Sequence, residues 1–432
     1  MKMANMDDYF DVVIVGTGAA GLYCALNLPA RYRILLLTKQ KADESDSFLA
    51  QGGICMQHGE ADYRPFFDDT MRAGHYENNP ATVDLMIRSS NSIIRDLVRR
   101  GVSFARDDHG ALRFTREGAH SRPRILFHED IIGHEITQTL LNEVLRCENI
   151  ELREHTTLLD FFADASACGG VIAAGPDGEP RAIGAGAVVL ACGGIGGLYK
   201  NSTNFPHITG DAIAMALRHG VACEHLDYIQ IHPTTLYSYR KGRRFLISES
   251  VRGEGALLLD KNGNRFTNEL QPRDVVSAAI RAQMEKDGTD HVWEDMRPIG
   301  EAAIREHFPN ILERCEEEGY DPIHEPIPVV PAQHYFMGGI TADLSSRTAL
   351  PRLYACGETC CNGVHGRNRL ASNSLLESLV FAQRAADDIL YGEPPVFTGD
   401  KPDLAPYREQ EPLFAAYRQE VLTAIERSKN HE

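Results

Sequence analysis

Residues 11–21 read DVVIVGTGAAG, and this stretch decides the fold. Its first five residues form a short β-branched apolar run of the kind that a buried parallel strand needs, and Gly16, Gly18 and Gly21 follow at G-x-G-x-x-G spacing. Gly16 permits a sharp turn, Gly18 lets backbone amides approach a pyrophosphate, and Gly21 lets the next helix pack against the strand. A structural glycine turn has the same hexapeptide, but strand, turn and helix in this order favour a dinucleotide site.

The second strand of this unit, residues 32–37, lacks the usual acidic end. It is followed by Thr38 and Lys39, whereas an Asp or Glu about 20 residues beyond the glycines usually holds the ribose of NAD. Two explanations stay open: Thr38 and Lys39 hold the ribose, or the nucleotide is not NAD in its usual pose. The departure favours a flavin-binding protein over a plain dehydrogenase.

Length and charge limit the classes of protein that fit. The chain has 432 residues, which is roughly two to three times a typical domain and predicts an inserted or appended domain. Its 43% hydrophobic and 24% charged residues are typical of soluble globular proteins. A formal net charge of −17 argues against a nucleic-acid partner, because binding a phosphate backbone needs a basic surface. The positive site for any anionic substrate must therefore be local.

The sequence contains no targeting or membrane signal that we recognise. No basic and apolar leader precedes Asp11, and the longest apolar run, residues 182–198, is broken by six glycines. These features predict a cytoplasmic protein without a signal peptide or membrane span. Ten cysteines fit a reduced compartment, and the cluster of Cys356, Cys360 and Cys361 has no second pair at metal-site spacing, so we expect structural thiols and no metal.

A change in composition divides the chain. Residues 223–336 are richer in Arg and Glu and contain short strands, which predicts an α+β capping domain inserted into an α/β fold. Residues 1–222 and 337–391 are then the two segments of one Rossmann-like domain. Residues 392–432 are predicted to form a linker and a short C-terminal helix with Leu413, Tyr417, Val421 and Ile425 on one face.

Cationic and imidazole side chains recur in and beside the inserted region. They are His232, Arg252, Arg273, His334 and Arg369. Arg273 lies in the first turn of a predicted helix, where the dipole disfavours a cation by ~0.3–1 kcal/mol, so we expect an anion beside it. Each residue alone fits a surface ion pair or a structural histidine. Together they fit a substrate with two carboxylates, which Arg binds in bidentate geometry.

Two loops are further candidates for the site. Residues 45–54, SDSFLAQGGI, fit either a close backbone approach to the cofactor or an ordinary surface turn. Residues 114–136 combine several charged and imidazole side chains with few apolar anchors: Glu117, His120, Arg122, Arg124, His128 and Glu129. This composition fits a site loop, and a solvated charged loop is the alternative.

Eight motifs occur in a familiar order along the chain: GTGAAG, SFLAQGGI, TREGAHSRPRI, QIHPTT, SESVRGEG, PRD, AQHYFMGG and GRNRLASNSLLESL. Over residues 10 to about 390 this order resembles the succinate dehydrogenase and fumarate reductase flavoprotein family, and it is most similar to the branch that oxidises L-aspartate. The resemblance implies FAD as cofactor and oxidation of L-aspartate to iminoaspartate, the first step of de novo NAD biosynthesis via quinolinate. Oxygen, giving hydrogen peroxide, or fumarate, giving succinate, would accept the electrons.

The resemblance also implies residue roles, position by position. It implies FAD contacts from Gly16, Thr17, Gly18, Ala19, Ala20, Gly21, Lys39, Ser47, Ala50, Gln51, Gly52, Gly53, Asp211, Glu358, Asn373, Ser374 and Leu375. It implies catalytic roles for Arg273, His232 and His334, with Arg273 as the acid–base group, and substrate contacts from Glu117, Ser248, Glu249, Arg252 and Arg369. Whether quinolinate synthase binds directly stays open.

Two positions separate the branches of this family. Members that bind flavin covalently have His where this chain has Asp46, so the resemblance implies non-covalent FAD. Glu117 lies where the L-aspartate-oxidising members have Glu and the dicarboxylate-only members have an uncharged amide. L-Aspartate differs from succinate by an ammonium group, and a carboxylate is the natural partner of that group. The alternatives are a soluble fumarate reductase or succinate dehydrogenase flavoprotein subunit, and a flavoprotein that only passes electrons.

Overall fold

The computed structural model describes residues 8–239, 242–392 and 396–430. Its strands are β1 Tyr9–Val15, β2 Ile34–Leu37, β3 Ile54–Cys55, β4 Phe114–Thr115, β5 Ile125–Leu126, β6 Ile150–Arg153, β7 Thr157–Ala163, β8 Cys168–Ala174, β9 Pro180–Leu190, β10 Cys223–Glu224, β11 Ile229–Leu236, β12 Leu257–Leu259, β13 Val292–Asp295, β14 Ile327–Phe336, β15 Gly339–Thr341, β16 Leu353–Ala355 and β17 Cys360–Cys361. Its helices are α1 Ala19–Asn27, α2 Tyr63–Ala73, α3 Pro80–Arg100, α4 Ile132–Val144, α5 Asp211–Arg218, α6 Glu249–Gly253, α7 Arg273–Asp287, α8 Glu301–His307, α9 Pro309–Glu317, α10 Asn373–Tyr391 and α11 Gln410–Lys429.

The strand predicted from the DVVIV run is β1, and it lies inside the main sheet. The sheet order is β6-β2-β1-β9-β8-β7, with β16 also paired to β9, and β1 is parallel to both of its neighbours. Val12 and Ile14 face one hydrophobic cluster, whereas Val13 and Val15 face another on the opposite side of the sheet. An uninterrupted apolar run is therefore required, because both faces of the strand are buried.

The first and third glycines of the motif are required by close backbone packing. Gly16 has φ +115°, and a Cβ there would overlap the carbonyl oxygen of Ala191 after β9. A Cβ on Gly21 would overlap the carbonyl oxygen of Gly16. The turn and the first part of α1 thus pack backbone to backbone, as the motif predicts.

A second sheet with its own core lies between the two parts of the main sheet in the sequence. Strands β11, β14, β13 and β12 form it in that order and pair antiparallel. Its hydrophobic cluster uses only residues between 236 and 329. After it the chain returns to the main sheet through β16, and α10 packs beside α1.

The end of the chain packs on the main fold. Tyr417, Val421 and Ile425 of α11 are buried in the same cluster as α5, which confirms the predicted apolar face. Phe397, in the segment predicted as a linker, packs against Phe162 of β7. Residues 393–395 of that linker lie outside the described residues. Within the ranges that are described, no helix combines the length and apolar character needed to cross a membrane.

Candidate active site

A long cleft opens where the parallel strands of the main sheet end. It encloses about 1700 Å³, the space at its open mouth included. Its wall contains Val15 at the end of β1, Thr38 after β2, Ala191 after β9 and Gly357 after β16. Ligands of open α/β sheets bind at this edge.

Most of the residues predicted to contact FAD line this cleft. They are Gly16, Thr17, Gly18, Ala20, Lys39, Ser47, Ala50, Gln51, Gly52, Gly53, Asp211, Glu358, Ser374 and Leu375. Ser47 accepts a hydrogen bond from the backbone N–H of Ala19 at 3.0 Å, which fixes the loop 45–54 over the first turn of α1. The loop therefore lines the cleft, and its close approach to a cofactor stays a prediction.

Three predicted cofactor residues lie beside the cleft and support its wall. Ala19 is fully buried and offers its amide to Ser47, and Gly21 packs on the turn at Gly16. Asn373 is fully buried and donates to the hydroxyl of Thr70 at 3.2 Å.

The cleft carries polar groups that fit FAD. Ser45 Oγ, Asp46 Oδ2 and Gln51 Oε1 make no hydrogen bond to any described part of the chain. Enclosure by the cleft walls raises the pKa of Asp46 to about 7. The same effect, and then the nearby Asp46, raises the pKa of Glu358 to about 8. Carboxyl groups that keep a proton can donate as well as accept hydrogen bonds, which suits hydroxyl and ring-nitrogen partners.

An acid near Lys39 comes from another part of the chain. Lys39 Nζ lies 2.6 Å from Asp211 Oδ2 at the start of α5, and 3.1 Å from the carbonyl oxygen of His207. Asp211 thus places a carboxylate beside Lys39, although no acidic residue directly follows β2 in the sequence. Burial lowers the pKa of the His207 imidazole, and the charge of Lys39 lowers it further.

Beyond the dinucleotide part of the cleft, two arginines share one amide. Arg273 Nη1 donates to Gln230 Oε1 at 2.9 Å, and Arg369 Nε donates to the same oxygen at 3.2 Å. The Arg369 guanidinium lies 4.4 Å from the centre of the Tyr335 ring. Burial, and then the charge of Arg273, lowers the pKa of Arg369 to about 10. Two like charges are therefore held side by side at low solvent exposure.

The anion that the sequence places beside Arg273 is present within the chain. Glu249 Oε2 accepts from Arg273 Nε at 2.6 Å, and Arg252 Nη2 lies 3.9 Å from the same oxygen. Burial opposes ionisation of Glu249, but the charges of Arg273 and Arg252 and the hydrogen bond from Arg273 lower its pKa below the ordinary value. The carboxylate is consequently ionised at neutral pH.

Glu117 reaches the same end of the cleft from the loop 114–136. Its side chain is 3% exposed, so the alternative of a solvated charged loop is wrong for this residue. Oε1 accepts from the Ser250 hydroxyl at 2.9 Å and Oε2 from the Ser372 hydroxyl at 2.6 Å. Burial, and then the charge of Glu249, raises the pKa of Glu117.

The two predicted histidines lie at different depths. His334 lines the cleft, and its Nδ1 lies 2.7 Å from the Thr203 hydroxyl. His232 lies behind it, with ring centres 5.1 Å apart. Burial, and then the charge of Arg273, holds the pKa of both imidazoles well below the ordinary value. Both rings are therefore neutral at physiological pH.

Arg252 also lies behind the cleft wall. It is 2% exposed, and its Nη1 donates to the carbonyl oxygen of Glu269 at 2.7 Å. Ser248 lines the cleft and accepts from the amide of Ser250 at the start of α6. Of the predicted substrate and catalytic residues, the cleft thus brings together Glu117, Ser248, Glu249, Arg273, His334 and Arg369.

Sequence reasoning missed Gln230 as a functional candidate. It is 3% exposed, and its amide nitrogen also donates to Asn368 Oδ1 and to the carbonyl oxygen of Arg369, both at 2.8 Å. The available signal was an amide between two isoleucines in the QIHPTT motif, where an alternating strand would place an outward polar residue. Only the fold shows that this position faces the arginines.

Comparisons with known proteins identify the family of this chain. A family model described as FAD binding domain matches residues 11–375. A Clostridium perfringens protein named L-aspartate oxidase is 48% identical over 380 residues, which are 88% of this chain and 86% of that protein. The chain belongs to the L-aspartate oxidase family.

Other members of the L-aspartate oxidase family and its structural neighbours extend the match. An L-aspartate oxidase of Clostridium acetobutylicum is 47% identical and covers 88% of this chain and 87% of its own. A solved structure of the E. coli quinol fumarate reductase superposes with a TM-score of 0.83 at 31% identity, over 95% of this chain and 74% of that one. The chain therefore has the α/β FAD-binding fold of the fumarate reductase flavoprotein, with mixed sheets and helices.

Proposed function

We propose that this chain is a FAD-dependent oxidoreductase that oxidises L-aspartate to iminoaspartate, the first step of de novo NAD biosynthesis via quinolinate. Oxygen, giving hydrogen peroxide, or fumarate, giving succinate, accepts the two electrons. The observation that carries the proposal is that the buried carboxylate of Glu117 lines the same cleft as Arg369 and Arg273, of which Arg273 is already paired with Glu249. An amino dicarboxylate needs this combination of charges.

The charges at the inner end of the cleft match the substrate group by group. Arg369, His334 and Ser248 offer donors for the two carboxylates, and the guanidinium does so in bidentate geometry. Glu117 offers acceptor oxygens for the ammonium group. His232 and Arg252 support this set from behind the wall. A site with these donors binds a dianionic substrate although the whole chain has a net charge of −17.

Oxidation of the amino acid removes a hydride and a proton. Bound FAD supplies the hydride acceptor. Arg273 lines the cleft and donates a hydrogen bond to Glu249 at 2.6 Å, so a proton acceptor lies directly behind the guanidinium. Arg252 lies 3.9 Å from the same Glu249 oxygen, too far for a hydrogen bond, and contributes its charge. Guanidinium is a poor base, and Arg273 either passes the proton to Glu249 or stabilises the developing charge.

We further propose that FAD is held without a covalent bond. The support is Asp46, whose Oδ1 accepts from the amide of Phe205 at 2.8 Å. By the family resemblance, this is the position at which members with covalent flavin have His. The test is to denature the purified protein and separate it from small molecules. Free FAD in the supernatant is expected, whereas flavin that stays with the polypeptide would contradict the proposal.

The domain division is part of the same proposal. Residues 223–336 would be the capping domain, which carries Ser248, Glu249 and Arg273 over the substrate, and residues 1–222 and 337–391 would be the FAD-binding domain.

An imine hydrolyses readily in water, so direct transfer of the product to quinolinate synthase would protect it. Co-purification of the two proteins tests that contact.

One anaerobic titration tests the proposed activity. The purified flavoprotein is mixed with L-aspartate or with succinate in the absence of oxygen, and the flavin absorbance is recorded. Bleaching by L-aspartate but not by succinate is expected, and admission of oxygen or fumarate then identifies the acceptor. Bleaching by succinate alone would favour a soluble fumarate reductase or succinate dehydrogenase flavoprotein. No bleaching by either compound would favour a flavoprotein that only passes electrons.

Arg273 provides a second test of the site. Arg273→Leu is expected to abolish turnover and to retain FAD, because the side chain lies at the substrate end of the cleft. Arg281→Leu, on the exposed side of the same helix, is the matched control and is expected to keep activity. An active Arg273→Leu protein would remove the proposed role.

A further inference from the structure

The environment of Glu117 contains two hydroxyl groups that the proposed chemistry does not use. Ser250 on α6 donates to one carboxylate oxygen, and Ser372 before α10 donates to the other. A carboxylate has about four lone-pair positions, so one hydrogen bond on each oxygen leaves the remaining positions for a ligand. The two hydroxyls therefore fix the direction of the carboxylate without filling it.

The backbone at Ser372 is unusual. Ser372 is the N-cap of α10 with φ 62°, in the left-handed region that disfavours side chains with a Cβ. A non-glycine residue in this region costs on the order of 1 kcal/mol or more, and such residues concentrate at functional sites. The Ser372 hydroxyl donates to Glu117, which is 255 positions away in the sequence. Glycine would relieve the backbone strain at this position but could not make this hydrogen bond.

Charges of both signs surround Glu117. The charges of Glu249 and Arg273 act on Glu117, and the Cys55 thiol interacts with it electrostatically. Charged or titratable side chains that line a pocket together with Glu117 include Arg72, Arg116, His120 and Arg369. Burial and Glu249 raise the pKa of Glu117, whereas the hydroxyls of Ser372 and Ser250 and the charge of Arg273 act in the opposite direction. Loss of a hydroxyl would therefore favour the protonated form, which cannot pair with an ammonium group.

We propose that Ser250 and Ser372 are positioning residues that keep the Glu117 carboxylate oriented and ionised for the amino group of L-aspartate, and so set the preference for an amino dicarboxylate over a dicarboxylate without nitrogen. This inference rests on the proposed function. Ser250 is the more informative of the two, because it does not lie on the wall of the cleft, and its influence on a ligand passes through Glu117.

The test compares two ligands that differ in the ammonium group. The FAD-loaded wild type and the variants Ser250→Ala, Ser250→Thr and Ser372→Gly are titrated from about pH 6 to about pH 9. Ser250→Thr keeps the hydroxyl, and Ser372→Gly removes the hydroxyl while suiting the backbone angle. L-Aspartate binding is taken from the rate of anaerobic flavin bleaching, and succinate binding from the shift of the flavin spectrum. Ser277→Ala, a buried serine of α7 that donates to the carbonyl oxygen of Ile231, is the control.

The expected result is specific to one ligand. Ser250→Ala and Ser372→Gly weaken L-aspartate binding roughly 10-fold at neutral pH, since a hydrogen bond to a charged group is lost. The acid limb of L-aspartate binding moves to higher pH in both variants, because Glu117 must lose its proton to pair with the ammonium group. Succinate binding changes by less than about twofold. Ser250→Thr and Ser277→Ala behave as wild type.

Four results overturn the inference, and they can be told apart. Equal weakening of both ligands in Ser250→Ala would show a general structural effect, and an unchanged acid limb in Ser250→Ala and Ser372→Gly would show that the hydroxyls do not act on Glu117. If L-aspartate fails to bleach the wild-type flavin, the proposed function is wrong and the inference falls with it. If the wild type responds and the variants match it, the inference alone is wrong.

Discussion

At the scale of single residues, Gln230 shows how a neutral side chain organises a charged site. Its amide oxygen accepts from Arg273 and from Arg369, while its amide nitrogen is bound to Asn368 and to the backbone of Arg369. The orientation of the amide is therefore fixed by its own donors. Two guanidinium groups that repel one another share a single acceptor, which holds them side by side; the proposed function requires this alignment for a dianionic ligand.

Replacement of Gln230 tests this arrangement. Gln230→Leu keeps the approximate volume but removes the shared acceptor, so we expect L-aspartate binding to weaken by roughly 10- to 100-fold. FAD affinity is expected to stay within about twofold, because Gln230 is not on the cofactor part of the wall. Substrate and FAD titrations of the purified variant measure both. Gln283→Leu, a buried glutamine of α7, is the control, and an unchanged substrate affinity in Gln230→Leu would contradict the prediction.

At the scale of elements, the glycine turn combines two separate demands. Gly16 and Gly21 are required because a Cβ at either position would overlap backbone atoms where β1, β9 and α1 pack together. Gly18 is the N-cap of α1 and lies on the cleft wall. A Cβ on Gly18 would lie 3.0 Å from Ser47 Oγ, so the Ser47 side chain would have to shift by a few tenths of an ångström. The first demand concerns stability and the second concerns the ligand.

Two alanine substitutions separate these demands. Gly21→Ala is expected to lower the melting temperature of the FAD-free protein by several degrees or to prevent folding, because its Cβ meets the backbone of Gly16. Gly18→Ala is expected to fold with a melting temperature near that of wild type and to bind FAD at least about 10-fold more weakly, because a methyl group blocks the approach to the helix amides. Thermal unfolding and FAD titration distinguish the two, and the reverse pattern would refute the assignment.

The C-terminal helix α11 reaches the cofactor cleft through one aromatic contact. The Phe414 ring lies 5.0 Å from Lys39 Nζ, and Lys39 is paired to Asp211 at the start of α5. A cation over an aromatic ring contributes ~0.5–1 kcal/mol at a partly exposed site. Phe414→Ala is therefore expected to weaken FAD binding by about two- to fivefold. Leu422→Ala, an exposed position of the same helix, should leave the FAD titration unchanged, and an equal shift in both would indicate a general effect on α11.

At the scale of the whole molecule, local signals in the sequence were sufficient to predict individual elements of the fold. The β1 run, the glycine turn and the apolar face of α11 depend on neighbouring residues, and each was predicted in the right place. The contacts that make the site specific are long-range. Gln230 and Arg369 are 139 positions apart, and Ser250 and Glu117 are 133 positions apart. Periodicity and turn chemistry carry no information on such pairs, so Gln230 and Ser250 were not predicted.

Two buried glutamates, Glu294 on β13 and Glu377 on α10, make the stability of the folded chain depend on pH. Glu294 on β13 is fully buried, and neither carboxylate oxygen has a hydrogen-bond partner within the described ranges. Burial raises its pKa to about 8, which Arg252 moderates. Glu377 on α10 is 2% exposed, and burial raises its pKa to about 7. Both groups keep a proton in the folded protein at a pH where an unfolded chain has released it.

This difference fixes the sign of the pH dependence. Between the ordinary glutamate pKa and about 8, the folded state binds more protons than the unfolded state, so these two groups make the free energy of unfolding decrease as pH rises. Above about pH 8 the Glu294 contribution is fully lost. Glu294→Gln puts a neutral group of the same shape at this position and should be more stable than wild type at about pH 8.5, with a smaller gain at about pH 6. Urea unfolding of the FAD-free proteins at both values measures the difference, and a gain that is equal at the two pH values would show that Glu294 does not hold a proton in the fold.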